Sequence, residues 1–256
     1  MNKKMPVVFI GHGSPMNAIE NNIFSDGWRK IAEKIPKPKA ILVISAHWYT
    51  DETKVSTDEN PATIYDFYGF PRELYLAEYN ANGSPELAGR TRELLGNVTA
   101  DSSRGFDHGV WGVLRVMYPE AEVPVTQLSI NYKFDIASHF YMAEKLKPLR
   151  DEGVLILGSG NVVHNLERLN NESLKGYDWA YEFDRYIREK VETRSFEDIL
   201  DYRNIGKNAR LSVPTPDHFC PLLYVLGLCE DTDSLEVFNK ECIYGSLSMT
   251  SYAFGL

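Results

Sequence analysis

Three short runs of this chain are almost wholly apolar and rich in β-branched residues: Val7 to Ile10, Ala40 to Ser45 and Val154 to Leu157. A strand without polar alternation is buried on both faces, as happens in the middle of a parallel sheet covered by helices. Val123 to Ile130 reads as a further strand, bounded by Pro119 and Asn131. Helical patterns lie between these runs. Ser25 or Asp26 can cap a helix to about Ile35, with Trp28, Ile31 and Ile35 on one face. Ser84-Pro85-Glu86 opens another that Gly96 stops. Asp135 caps a third, to about Arg150, with a stripe of Ile136, Phe140, Ala143, Leu146 and Leu149. A polar helix is expected over 178–193, an apolar one over 221–228, and one or two edge strands over 235–254. The order predicts an α/β fold: a central, mostly parallel sheet flanked by helices, with the first two strands parallel neighbours or near-neighbours. At 256 residues, with no repeat or linker, the chain is expected to be one domain over 1–256.

The strands end in an unusual way. Gly11, Gly13 and Pro15 stop the first, leaving His12 between two glycines. His47 falls two residues past the second strand. His164 follows the Gly158-Ser159-Gly160-Asn161 break, on what looks like the first turn of a helix. Ligands collect at the carboxyl ends of parallel strands. Three histidines delivered to that edge point to a metal site, since zinc, iron and copper all accept imidazole. His108 and His218 sit in loops with Asp107 and Asp217 directly before them. Those aspartates can orient a ligand ring or simply cap a helix or turn. His139 lies inside the 135–150 helix beside its apolar stripe and reads as structural.

Composition narrows the partners. A net charge of −9 argues against nucleic acid and against an anionic membrane surface. No segment approaches the ~20 apolar residues of a membrane span. Lys3 and Lys4 precede an apolar run too short for a secretory signal, and no small-residue cleavage site follows. Cys220, Cys229 and Cys242 show no Cys-x-x-Cys spacing and read as reduced thiols, which places the protein in the cytoplasm. Residues 51–82 are polar and aromatic, with Tyr65, Phe67, Tyr68, Phe70, Tyr75 and Tyr79. Short strands or loop covering the carboxyl edge are expected there, as a lid or as a solvated insertion. No Gly-x-Ser-x-Gly elbow is present, and Gly158-Ser159-Gly160 lacks the lysine of a phosphate loop.

Five motifs then occur in order: His-Gly-Ser-Pro-Met-Asn-Ala at 12–18, Ser-Ala-His-Trp at 45–48, Asp-His-Gly-Val-Trp at 107–111, Gly-Ser-Gly-Asn-Val-Val-His-Asn-Leu at 158–166 and Thr-Pro-Asp-His-Phe at 215–219. With these the chain resembles the DOPA-dioxygenase-like branch of the class III extradiol ring-cleavage dioxygenases, from residue 6 to about 250. The resemblance implies opening of a catechol ring by O₂ at non-haem Fe(II). It implies His12 and His47 as metal ligands and His218 as the remaining one. His164 it implies as an acid/base close to the metal, and in zinc-loaded relatives as a contact to the metal itself. His108 it implies as a histidine facing the substrate. One departure stands out. The wider superfamily uses two histidines and a glutamate, whereas here Phe219 follows His218. An all-histidine set has no carboxylate to neutralise the metal and also suits Zn(II). A zinc-dependent hydrolase and a non-enzymatic binding protein on the same scaffold remain as alternatives. The choice of catechol and the oligomeric state, a homo-oligomer included, are left open.

Overall fold

The computed structural model describes residues 4–256; Lys3 lies outside them. The strands are β1 (Val7–Gly11), β2 (Ala40–Thr50), β3 (Lys54–Ser56), β4 (Thr99–Asp101), β5 (Val125–Asn131), β6 (Val154–Gly160), β7 (Leu235–Phe238), β8 (Cys242–Ile243), β9 (Leu247–Ser248) and β10 (Ser251–Phe254). The helices are α1 (Ile23–Lys34), α2 (Pro85–Leu95), α3 (His108–Met117), α4 (Ile136–Glu144), α5 (Pro148–Asp151), α6 (Asp178–Glu192), α7 (Phe196–Leu200), α8 (Lys207–Ser212) and α9 (Cys220–Leu228). Eight strands form one sheet in the order β4-β3-β5-β2-β6-β1-β10-β7, and β8 and β9 pair separately. The middle strands β5, β2, β6 and β1 are mutually parallel. β6 lies between β1 and β2, so these two are near-neighbours, as the sequence predicts.

Alternation along the buried strands splits the interior in two. Val7, Phe9, Leu42, Ile44 and Ile156 face the core under α4, α6 and α9. Val8, Ile10, Ile41, Val43, Leu155 and Leu157 face the core under α1 and α3. Helices thus cover both faces of one sheet, which is why its central strands carry so little polar character. All nine residues of α9 are buried, matching its apolar sequence on every side.

Several expectations are corrected. α1 starts at Ile23, because Asn22 caps it and forms a reciprocal capping box with Ser25. The 135–150 pattern is two helices. α4 ends at Glu144 and α5 begins with Pro148, whose ring and missing N–H fit only a first turn. Residues 113–118 belong to α3. β2 runs on past Ser45: its ladder with β5 shifts between Ile44 and Tyr49, then resumes at Tyr49 and Thr50. His47 therefore sits in an irregularity within the strand, which re-aims its side chain. β7 is an edge strand, but β10 is inserted between β1 and β7, antiparallel to both. His164 does not open a helix. It pairs with Leu247 in an isolated antiparallel bridge, and its N–H donates to Ser212 O at 2.9 Å.

Two buried polar groups carry stability outside the site. The Arg150 guanidinium is fully buried, pairs with both Asp233 oxygens at 2.8 Å, and donates to Met5 O and Leu228 O. Asp233→Ala leaves that charge without its counterion. It should lower unfolding free energy by about 3–5 kcal/mol in urea titration. His139 is buried beside Tyr224 and Phe134, as its structural reading requires. Burial holds its pKa down to about 4, with Asp135 opposing. The unfolded chain takes up a proton near pH 6.5 that the folded chain refuses. Stability is therefore intact above that pH and is lost as pH falls toward 4, by up to about 3 kcal/mol from this ring. Unfolding measured from pH 7 to 4 should show a shallower loss in His139→Gln than in the parent.

Candidate metal centre

Five of the six histidines meet at the carboxyl edge of β1, β2 and β6. His12 follows β1 directly, and its main-chain N–H continues the ladder to Gly160 O at 3.0 Å. His47 comes from the irregular part of β2. Its carbonyl accepts from Arg104 Nη2 at 3.2 Å, while the same guanidinium pairs with Asp107 at 2.5 Å and lies 5.3 Å over the Trp48 ring. His108 is the first residue of α3, which Asp107 caps through Val110 N. His218 lies in the turn before α9. That turn presses onto β6, and a Cβ at Gly160 would collide with the His218 carbonyl. A Cβ at Gly109 would come within 2.5 Å of Ser45 Oγ and 3.0 Å of the His47 ring. Glycine at these two places lets separate elements approach closely enough to gather the rings.

The rings are tightly grouped. Centroids of His12 lie 5.0, 5.4 and 5.3 Å from those of His47, His108 and His218. His47 lies 4.0 Å from His108 and 4.9 Å from His218. Nitrogens of His12, His47 and His108 all fall within 4.8 Å of one another, and His164, Asp217 and His218 form a second such group. His139 stands apart from both.

Four of the five rings have a polar partner behind them. His12 Nδ1 pairs with Ser159 Oγ at 3.0 Å, and His218 Nδ1 pairs with the Asp217 carboxylate. The serine of Gly158-Ser159-Gly160 thus serves a histidine. Asp107 turns out to be a helix cap and the partner of Arg104, whereas Asp217 does back a ring. Asp66 was not singled out by sequence reasoning. Its Oδ1 accepts from His108 Nδ1 at 2.9 Å, and its Oδ2 lies 3.4 Å from His47 Nδ1. It falls in the aromatic stretch with no periodicity around it. Tertiary contacts, among them the pairing of Thr63 with Phe106, bring it to the site.

The donors suit a divalent metal. His12 Nε2 and His47 Nε2 are 3.1 Å apart. Two imidazole nitrogens bound at ~2.0–2.1 Å to one ion, at angles between octahedral and tetrahedral, stand roughly 3 Å apart. His218 Nε2 is buried with no hydrogen-bond partner, an orphan that a metal would satisfy. Burial, and then the neighbouring imidazoles, hold His12 and His218 far below the usual histidine pKa. Burial likewise lowers His47 and His164 to about 4. These four rings are therefore neutral at pH 7, the form that binds metal. Burial opposes ionisation of Asp66, but the side-chain and main-chain hydrogen bonds from His108, with His47 also facing it, outweigh burial and hold the carboxyl below its usual range. His164 lies flat against His218, centroids 3.4 Å apart and planes 4° from parallel. Lone pairs of parallel rings do not converge, so one ion cannot take both in their ring planes as placed.

The 57–82 segment closes one side of this cluster. Tyr65, Phe67, Phe70 and Tyr75 pack on one another and on Trp111, and the Phe67 ring stands 5.7 Å from His108. Tyr68 points to solvent and Tyr79 into the core. A surface groove of about 740 Å³ beside α1 and the end of α3 contains no histidine. Convergent chemistry, and not concavity, locates the site.

An open α/β sheet with a histidine cluster at its carboxyl edge places a group of side chains able to hold a metal where Rossmann-type folds hold nucleotides. Over residues 6–255 the chain matches the family described as the catalytic LigB subunit of aromatic ring-opening dioxygenase, and it belongs to that family. It is 45% identical to a 4,5-DOPA dioxygenase extradiol of Escherichia coli K12, covering 98% of this chain and 95% of that protein. It is 42% identical to one of Beta vulgaris, covering 96% and 95%. The crystal structure of an uncharacterized protein from Escherichia coli K12 superposes with a TM-score of 0.84 at 41% identity, covering 98% of this chain and 99% of that one. The resemblance read from the five motifs, and the fold expected from the strands, are both borne out.

Proposed function

We propose that this chain, acting as one catalytic domain, opens a catechol ring with O₂ by extradiol cleavage, on a DOPA-like aromatic diol. The observation that carries the reading is the convergence of five histidines, three with their outward nitrogens tied back and one with a buried, unpartnered Nε2. The relatives' names supply the reaction class.

His12, His47 and His218 would hold the metal through Nε2. Held there, Fe(II) supplies Lewis acidity toward the two catechol oxygens and the redox chemistry that O₂ requires; Zn(II) fits the same nitrogens but has no redox chemistry. The remaining residues handle protons and shape. His164, neutral and stacked on His218, accepts a hydroxyl proton as the catechol docks. His108, fixed by Asp66 with its proton on Nδ1, accepts the second hydroxyl proton from the opposite side and returns it as the ring opens. Phe67 and its aromatic neighbours exclude water and bound the ring plane. The bond next to the two hydroxylated carbons breaks, and both atoms of O₂ remain in the product.

Three buried, unpaired cysteines among the described residues are consistent with a reducing cytoplasm. Among the same residues no helix is long and apolar enough to cross a membrane. The test is O₂ uptake by anaerobically Fe(II)-loaded protein given L-DOPA, caffeate or protocatechuate, with zinc-loaded protein as control. Uptake with a yellow product, seen with iron alone, is expected. Bound metal with no O₂ consumed from any catechol would overturn the reading in favour of a zinc hydrolase or a binding protein.

A further inference from the structure

Asp66 is held in place from several sides before either histidine is considered. Ile64 N–H donates to Phe106 O at 2.7 Å, and Phe106 N–H to Ala62 O at 2.8 Å. Trp111 Nε1 donates to Ile64 O at 3.0 Å, and Tyr65 OH to Ala77 O at 3.0 Å. From this frame the Asp66 carboxylate reaches two imidazoles. Oδ1 takes both His108 Nδ1 at 2.9 Å and the His108 main-chain N–H at 3.0 Å, while Oδ2 stands 3.4 Å from His47 Nδ1.

We propose that Asp66 is a positioning residue for the extradiol reaction, one carboxylate that sets the tautomer of two histidines with different duties. The proposal rests on the function and ligand set given above. A carboxylate is an acceptor only, so each ring facing it carries its proton on Nδ1. A neutral imidazole has one such proton, and its Nε2 is then a lone pair. For His47 that lone pair faces His12 Nε2 and the metal position. For His108 it faces inward, where a catechol hydroxyl needs an acceptor. A carboxylate behind a ligating histidine also raises the donor strength of that ring. The inner set lacks the glutamate of the wider superfamily. Asp66 behind His47, and Asp217 behind His218, set negative charge one residue further out.

The substitution that separates these effects is Asp66→Asn. An amide keeps the shape but offers one acceptor and one donor. It can serve one ring, and it drives the other toward the Nε2–H tautomer, which can neither bind metal nor accept a proton. Asp66→Glu keeps two acceptor oxygens. Zinc affinity is measured on the full chain by competition with a chromophoric chelator. Turnover is measured as O₂ uptake with L-DOPA at saturating Fe(II). For Asp66→Asn, zinc affinity should fall about 10–100-fold, kcat should fall more than KM changes, and Asp66→Glu should recover part of both. In a His108→Phe background, Asp66→Asn should still weaken zinc but add little further loss of kcat.

Parent-like affinity and kcat in Asp66→Asn would overturn the proposal while leaving the function intact. Equal losses in the Asn and Glu variants, tracking a lower melting temperature, would also overturn it by making the role structural. So would an undiminished kcat loss in the His108→Phe background. A parent protein that neither binds zinc nor consumes O₂ would remove the functional reading, and this proposal with it.

Discussion

Replacing His12 or His47 by alanine should abolish stoichiometric metal binding and take O₂ uptake to background. Their Nε2 atoms are 3.1 Å apart, the separation two nitrogens bound to one ion would have. Alanine removes the donor and leaves space that water can fill, so the other rings do not move in to replace it. The effect should be specific to the site. Each alanine also relieves the crowding of neutral, desolvated imidazoles, so metal-free stability should change little or rise. Metal content by elemental analysis, read beside thermal unfolding, checks both halves. Full metal occupancy in either variant would refute the ligand assignment.

His164→Phe and His108→Phe, by contrast, should retain the metal and lose about 10²–10⁴ in turnover, the usual span for a positioned acid or base. Phenylalanine preserves the stack on His218 and the packing on Phe67 while removing the nitrogens. The geometry makes this a sharp test for His164. Its plane parallels that of His218, so it shares no in-plane approach to a common ion unless its ring turns. Loss of metal from His164→Phe would show that the ring does turn and that His164 is a fourth ligand. Anaerobic titration of each variant with a catechol separates failure to bind from failure to react.

The histidine set was legible in sequence because each member sits where a local signal is strong. An apolar run fixes a buried strand, and the glycines at its end fix where it stops, so His12 could be placed from neighbouring residues alone; His47 was read as lying past a strand that in fact continues through it to Thr50. His164 was placed at the right edge but on the wrong element. The bridge to Leu247 and the bond to Ser212 come from segments far along the chain, and they override the helix turn expected at His164. Asp66 was illegible for the same reason: its partners are forty residues away or lie on another strand. β10 carries no mark of its inner position either, since a short strand reads alike at an edge and between two neighbours.

That inner position bears on how the protein comes into being. β1, which leads directly into His12, is flanked on one side by β6 and on the other by β10, where Val7 faces Phe254 and Phe9 faces Tyr252. Residues translated near the start of this sequence thus find half of their partners only after residues 251–254 have left the ribosome. Until then β1 has one open edge, although β6 already holds His12 through Gly160 O and Ser159 Oγ. The strand that presents His12 is thus enclosed on both sides only when residues 251–254 lie between β1 and β7.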